Sequence, residues 1–88
     1  MVKKKACIFI SGQGTNLKNI ISNSRDKSFP IKVCLVITNN KNAHGITYAK
    51  KYKIPYVYIN TNLKNSENKI LLNLKKYKIS FICLAGYM

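Results

Sequence analysis

The chain of 88 residues has very few groups that could carry acid–base or metal chemistry. Asp26 and Glu67 are its only acidic side chains, and His44 is its only histidine. Asp26 lies in a predicted loop and Glu67 at a predicted helix start, where a negative charge is favourable for ordinary structural reasons. His44 has no carboxylate or cysteine at motif spacing, so we interpret it as a solvated helix residue. We expect no catalytic residue in this chain.

Cysteine is also scarce, and its positions argue against cross-links. Cys7, Cys34 and Cys83 all sit inside apolar runs, and no two of them have CxxC spacing. An odd number of such cysteines implies neither a disulfide framework nor a zinc site, and we expect no metal. Free buried thiols fit a reducing compartment. No apolar stretch approaches the length needed to cross a bilayer. We therefore expect a cytoplasmic protein with no membrane partner.

The charge is strongly one-sided. Sixteen basic residues against two acidic ones give a formal net charge of +14, which could indicate nucleic-acid binding. However, Lys, Asn, Ile and Tyr make up half of the chain, and all four are encoded by AT-rich codons. The lysines are mostly scattered. We favour compositional drift over a nucleic-acid function, and expect the positive field to favour an anionic, phosphate-bearing ligand.

Strand-like and helix-like segments alternate along the chain. Residues 6–10, 32–38, 56–59 and 80–85 are short and rich in β-branched and aromatic residues. Three of them are almost continuously apolar, which is typical of parallel strands covered on both faces. Pro30 and Pro55 lie just before strands, where they cost no ladder bond.

Three amphipathic patterns predict the helices between these strands. Apolar residues recur at helical spacing in each, at Leu17, Ile20 and Ile21, then Ala43, Ile46 and Ala49, then Ile70, Leu71, Leu74 and Tyr77. Asn42 is the predicted N-cap of the second helix, and Asn65 or Ser66 that of the third. The order predicts one α/β domain over residues 1–88, a Rossmann-like β-α-β-α-β-α-β half with a parallel four-stranded sheet.

A glycine segment follows the first strand. Ser11 leads into Gly12, Gln13 and Gly14, and a helix is predicted to begin near Thr15 or Asn16. Glycine permits the tight turns and the close ligand approach that this connection needs. The free amides of the first helical turn form an anion site, to which the Thr15 and Asn16 side chains can add contacts.

Two other phosphate motifs do not fit the glycine segment. A dinucleotide fingerprint needs a third glycine where Leu17 stands and an acid after the second strand, which instead ends Thr38-Asn39-Asn40. No Gly-Lys-Ser/Thr follows as in a Walker motif. The segment therefore predicts a phosphate-monoester site, and a glycine turn without a ligand is the alternative.

The chain resembles the glycinamide ribonucleotide formyltransferases over its whole length. Residues 10–17, Ile-Ser-Gly-Gln-Gly-Thr-Asn-Leu, are similar to the family's ISGxGSNL signature. Further similarities follow in the same order: residues 36–41 at the second strand end, Ala43-His44-Gly45-Ile46 with Ala49, Ile54-Pro55, and Leu84-Ala85-Gly86-Tyr87-Met88, which looks like the family's LAGFM. The resemblance implies the N-terminal half of the formyltransferase fold.

This resemblance implies formyl transfer from 10-formyltetrahydrofolate to glycinamide ribonucleotide in purine biosynthesis. It makes Gly12, Gln13, Gly14, Thr15 and Asn16 the segment that binds the substrate, with Gly14, Thr15 and Asn16 as the phosphate contacts. It also places the start of the folate pocket at Met88.

The family's catalytic Asn, its His in an N-x-H-P-S context and its later Asp have no counterpart in this sequence. Ser80 stands where the family commonly has Asp, and an Arg often found before the third helix has no clear counterpart. We expect this chain not to catalyse alone.

Residues 81–84 would form an uncovered strand edge, which a second chain could complete. A stand-alone nucleotide- or sugar-phosphate-binding module and a basic nucleic-acid binder remain alternative functions.

Overall fold

The structure, a computed structural model, describes residues 3–11, 15–60 and 62–84. Strands and helices alternate in the order β1 (Lys4–Ile10), α1 (Thr15–Ser24), β2 (Ile31–Thr38), α2 (Gly45–Lys51), β3 (Tyr56–Tyr58), α3 (Ser66–Lys76) and β4 (Phe81–Leu84). The four strands form one parallel sheet in the order β3-β2-β1-β4. The predicted α/β class, element order and parallel four-stranded sheet are confirmed.

Both faces of the central strand β1 are buried, as its continuous apolar sequence predicts. On one face Ala6, Ile8 and Ile10 pack in a cluster with Leu17 and Ile21 of α1 and Ala49 of α2. On the other face Cys7 and Phe9 belong to a second cluster, against which Ile70 and Leu74 of α3 pack. Helices therefore cover the sheet from both sides, and parallel sheets require such cover.

Strand β2 contains one irregularity beside β1. Ala6 pairs with Val33, but Cys7 pairs with Leu35, so Cys34 is an extra residue in the ladder. A bulge of this kind changes which side chains face which way. It lets Val33 and Val36 join the α1–α2 side of the core while Leu35 and Ile37 join the α3 side.

The prolines stand at strand starts, as predicted. Pro30 directly precedes β2, and its carbonyl accepts the Lys4 amide at 3.0 Å. Pro55 directly precedes β3, and its carbonyl accepts the Val36 amide, also at 3.0 Å. Each proline thus contributes its acceptor to the ladder at a position where its missing N–H costs nothing.

The same pentapeptide, Lys-Lys-Tyr-Lys-Ile, ends both α2 and α3, at residues 50–54 and 75–79. Lys53 and Lys78 have positive φ angles of 58° and 55°. The Ile54 amide reaches back to the Ala49 carbonyl at 2.8 Å, and the Ile79 amide to Leu74 at 2.9 Å. These are the bonds of the Schellman motif, with lysine in the left-handed position where glycine is usual.

The prediction that Asn42 is the N-cap of the second helix is wrong. The helix begins at Gly45, and His44 directly precedes it. Asn42 lies instead in a turn, because its amide donates to Asn40 Oδ1 at 3.0 Å and the Ala43 amide donates to the Asn40 carbonyl at 3.0 Å. The Asn40 side chain organises this segment before the helix starts.

The predicted start of the third helix is confirmed in position only. Asn65 directly precedes α3, but its side chain makes no capping bond. Its φ of −92° and ψ of 9° lie away from the extended conformation that an N-cap side chain needs to reach the following amides.

Strand β4 lies at the edge of the sheet, as predicted. Within the described residues it pairs with β1 alone. Phe81, Ile82 and Leu84 are 43%, 48% and 66% exposed. This strand is much less covered than β1, although its sequence is equally apolar. That difference shows that burial is set by position in the sheet.

We expect Asp26 to make the stability of the fold sensitive to acid. The Ser28 amide and hydroxyl both donate to Asp26 Oδ1 at 2.9 Å, and these bonds hold the pKa of the carboxyl below its ordinary 3.8. A carboxyl whose folded pKa is depressed stabilises the fold above its unfolded pKa, and that contribution is lost as the pH falls through the folded value. We predict that Asp26→Asn flattens the fall in stability below about pH 4.

The measurement is urea unfolding at a series of pH values between 6 and 2. Ser28→Ala should give an intermediate slope, because it removes the hydroxyl donor and keeps the amide. Equal acid slopes for the parent chain and Asp26→Asn would contradict this assignment.

Candidate functional site

The carboxyl edge of the sheet contains a topological switch point. From β1 the chain passes through α1 to β2 and then to β3, on one side of β1. It returns through α3 to β4, on the other side of β1. In open α/β sheets the ligand crevice lies outside the carboxyl ends of the two strands where the order reverses. Here those strands are β1 and β4, with Phe9 paired to Leu84.

Both predicted binding segments follow these two strands. Four residues connect Ile10 at the end of β1 to Thr15 at the start of α1, as predicted. Gly12, Gln13 and Gly14 lie outside the described residues. The backbones of Thr15 and Asn16 form the start of α1, and their side chains are not described. Met88, the predicted folate contact, follows β4 and also lies outside the described residues. Their assignment as contacts stays a prediction.

Asn40 connects the loop after β2 to the segment after β1. Its Nδ2 donates to the Ser11 carbonyl at 3.1 Å across 29 positions of sequence. Its Oδ1 accepts the Asn42 amide at 3.0 Å. One side chain therefore holds its own turn and contacts the residue that leads into the glycine segment. In the sequence, Asn40 belongs to a strand end without a carboxylate and to the family resemblance of residues 36–41, and no role was predicted for it.

Thr38 makes two hydrogen bonds with the backbone of Asn40 through its hydroxyl. It is fully buried at the end of β2, and its Oγ1 accepts the Asn40 amide at 3.1 Å. The same hydroxyl lies 3.1 Å from the Asn40 carbonyl, to which it donates. The Thr38 carbonyl accepts the Ile59 amide at 2.9 Å, which connects this loop to the end of β3. A buried hydroxyl with both bonds made fixes a turn better than an exposed one.

The loop after β3 repeats this turn. Asn60 Oδ1 accepts the Asn62 amide at 3.0 Å, just as Asn40 Oδ1 accepts that of Asn42. Asparagine favours such turns because its side chain can imitate a backbone carbonyl. The recurring Asn-x-Asn spacing is a sequence signal for these two turns, although not for the contact between Asn40 and Ser11.

The few acid–base groups are spread over the molecule. Asp26 follows the carboxyl end of α1, at the amino edge of the parallel sheet, whereas Glu67 lies in the first turn of α3, at the opposite edge. His44 is exposed in front of α2. No cluster of three or more His, Cys, Asp or Glu that could hold a metal occurs within residues 3–11, 15–60 and 62–84.

The cysteines are free thiols. Cys7 is buried, and Cys34 and Cys83 are half-buried. Burial raises the pKa of the Cys7 thiol to about 12, against a smaller opposing effect of a backbone hydrogen bond with Ile37. Cys7 is therefore a thiol at neutral pH, and an apolar core residue in its energetics.

No helix among the described parts of the chain is long and apolar enough to span a membrane.

The switch-point geometry and the alternating parallel topology define a Rossmann-like α/β protein. More specifically, residues 4–88 match the family model described as "Formyl transferase", and the chain belongs to that family. It is 38% identical to the phosphoribosylglycinamide formyltransferase of Haemophilus influenzae, over 97% of this chain and 42% of the relative. It is 36% identical to the human trifunctional purine biosynthetic protein adenosine-3, over 98% of this chain and 9% of the relative.

Solved structures share the fold at similar identity. The phosphoribosylglycinamide formyltransferase of Brucella melitensis superposes with a TM-score of 0.92 at 30% identity, covering 99% of this chain and 47% of that one. Glycinamide ribonucleotide transformylase 1 of Geobacillus kaustophilus gives 0.90 at 31%, covering 99% and 48%. The chain thus spans less than half the length of these relatives.

We predict that Asn40→Ala loosens the connection between β1 and α1. It removes two hydrogen bonds, which at typical net values costs about 1–2 kcal/mol of unfolding free energy. Hydrogen exchange at residues 9–11 should become faster. Asn60→Ala is the matched control, because it removes the corresponding turn after β3 but not the bond to Ser11. Unchanged exchange at residues 9–11 in Asn40→Ala would show that the bond to Ser11 does not order this segment.

Proposed function

We propose that this chain binds the phosphate of glycinamide ribonucleotide, as the N-terminal part of a phosphoribosylglycinamide formyltransferase. The observation that carries the proposal is the position of the glycine segment. It follows β1 directly, at the switch point beside β4, in a chain whose family match extends over nearly all its residues. A relative matched by sequence and one matched by structure are both named phosphoribosylglycinamide formyltransferase.

The helix behind the segment supplies a physical reason for phosphate binding. α1 runs for ten residues from Thr15, and its first amides have no partner within the helix. These amides and the positive end of the helix dipole favour an anion at that point. On the β2 side, the Asn40 side chain donates a hydrogen bond to the carbonyl of Ser11, the residue that precedes the glycines. A monophosphate would thus be bound mainly by neutral donors on a rigid frame.

The proposed reaction transfers a formyl group from 10-formyltetrahydrofolate to the glycinamide amine. The amine nitrogen attacks the formyl carbon, the bond from that carbon to the folate nitrogen breaks, and the amine proton passes to that nitrogen. An oxyanion stabiliser and a proton shuttle are needed for this step. The family's Asn, His and Asp have no counterpart in this sequence, so in this proposal the chain binds substrate, Met88 begins the folate pocket, and those three catalytic residues come from elsewhere.

Two other functions make different predictions. A stand-alone sugar-phosphate module would bind ribose 5-phosphate as tightly as the full ribonucleotide. A nucleic-acid binder would bind duplex DNA with an affinity that falls steeply with salt, because phosphate contacts release counterions.

We also propose that the protein acts in the reducing cytoplasm, where its three free thiols would persist.

We predict saturable binding of glycinamide ribonucleotide that Gly14→Val abolishes, because a β-branched side chain would fill the space the phosphate needs. Thr15→Val should weaken binding about 10-fold or more, since a hydrogen bond to a charged group is lost. Calorimetric titration with the ribonucleotide, ribose 5-phosphate and duplex DNA at two salt concentrations measures all three affinities.

Thr47→Val is the matched control for this titration. It makes the same isosteric change on an exposed position of α2 and should leave the affinity unchanged. Ribonucleotide affinity indifferent to Gly14→Val would disprove the proposed site. Salt-sensitive duplex binding, equally indifferent to that variant, would favour the nucleic-acid function.

We further propose that β4 pairs with another β-strand, from a second chain or from a further segment of the enzyme. The strand exposes Phe81, Ile82 and Leu84 without a charged side chain. Unpaired edges of this kind associate readily unless they are covered or charged.

Ile82→Lys should therefore reduce self-association, because a charged residue on an edge blocks pairing. Leu72→Lys is the control, since Leu72 is exposed on α3 and away from the strand edge. Size-exclusion chromatography over a concentration series gives the readout. A monomer for the parent chain at every concentration, with β4 amides strongly protected from hydrogen exchange, would refute pairing of β4 with a second copy of this chain.

A further inference from the structure

A cavity of about 780 Å³ lies at the amino edge of the sheet, opposite the edge at which β1 ends. It is bounded by the start of β2, the end of α1 and the end of α2 with the loop into β3. Its size falls in the range of small-molecule sites. Neither the family resemblance nor the proposed phosphate site uses this region.

The lining of this cavity is strongly basic. Five of its twelve lining residues are cationic, and none is acidic; the five are Lys3, Arg25, Lys32, Lys51 and Lys53. The Lys3 ammonium donates to the Ser24 carbonyl at 2.6 Å and to the Asp26 carbonyl, so it is engaged by the protein. The nearby Asp26 carboxylate is bound by Ser28. Among the described residues no carboxylate pairs with the other four cations.

Two of these cations lie close to the ring of Tyr52. The Arg25 guanidinium lies 5.4 Å from the centroid of that ring, and the Lys51 ammonium lies 5.6 Å from it. Cation–π attraction accounts for both positions. The result is two like charges around one ring, with no carboxylate paired to either of them among the described residues, an arrangement that a multivalent anion would stabilise.

The geometry also restricts the kind of anion. Apart from Lys3, the cations of the lining are Arg25, Lys32, Lys51 and Lys53. Recognition by this cavity would therefore depend on charge that is spread over several groups. Arginine and lysine bind phosphate oxygens through charge-assisted hydrogen bonds. A chain of linked phosphates matches this distribution better than a single phosphate.

We propose that this cavity binds the polyphosphate chain of a small molecule, a diphosphate or a triphosphate. The site is separate from the proposed glycinamide ribonucleotide site, since it lies at the other edge of the sheet and is built from different residues.

The repeated pentapeptide offers a matched control for the test. Lys51, Tyr52 and Lys53 recur as Lys76, Tyr77 and Lys78 at the end of α3. The local geometry recurs too, with the Lys76 ammonium 5.5 Å from the Tyr77 ring and Lys78 at a positive φ. The second copy does not line the cavity. Equal charge can therefore be removed from two segments of the same sequence and similar backbone geometry, one inside the cavity and one outside it.

The experiment is calorimetric titration of the full chain with tripolyphosphate at physiological salt, without divalent cations. We expect saturable binding at one site. Lys51→Gln/Lys53→Gln should weaken it at least about 10-fold, because charge-assisted bonds are lost. Lys76→Gln/Lys78→Gln should change it less than about 2-fold, since exposed distant charges are screened. Arg25→Gln provides a second cavity variant, and Gly14→Val should have no effect.

Equal weakening by the two lysine pairs would overturn the proposal, because it would mean that only the overall charge matters. Inorganic phosphate binding as tightly as tripolyphosphate would overturn the assignment to linked phosphates. A single-stranded oligonucleotide that binds more tightly, and is lost in Lys51→Gln/Lys53→Gln, would make the cavity a nucleic-acid site instead. Loss of tripolyphosphate binding in Gly14→Val would place the anion at the glycine segment.

Discussion

The burial of β1 on both faces and along both edges is the constraint on which the rest of the structure depends. Its side chains from Ala6 to Ile10 lie in the two core clusters, and its backbone pairs with β2 on one side and β4 on the other. Covering both faces requires α1 and α2 on one side and α3 on the other. That arrangement reverses the strand order at β1 and so places the crevice at its carboxyl end.

The two edges of the sheet differ in chemistry. At the carboxyl edge, Asn40, Asn60 and Thr38 order the loops through neutral hydrogen bonds, and α1 begins there at Thr15. At the amino edge, the ends of α1 and α2 bring lysine and arginine around Tyr52. The basic residues are therefore not spread evenly over the molecule, because five of them line this one cavity.

Local patterns predicted much of this fold. The apolar runs identified all four strands, and glycines after the first strand identified the β1–α1 connection. The start of α2 was missed because Asn42 is a good N-cap by residue type, whereas in the structure its amide is taken by Asn40 Oδ1. The role of Asn40 was missed for a related reason. Its bond to Ser11 joins residues 29 positions apart, and residue spacing within one segment contains no information about such a contact.

The sequence by itself determined the alternation of strands and helices and the glycine segment, because both depend on local periodicity and on backbone freedom. Apolar composition alone did not determine how deeply each strand is buried. The apolar residues of β1 and β4 look equivalent, yet the former are covered and the latter exposed, since only the strand order decides which strand is central. The two Lys-Lys-Tyr-Lys-Ile segments are identical in sequence and similar in local geometry. Only the tertiary structure puts one of them beside Arg25 in a cavity, because that requires the end of α1 to pack next to the end of α2.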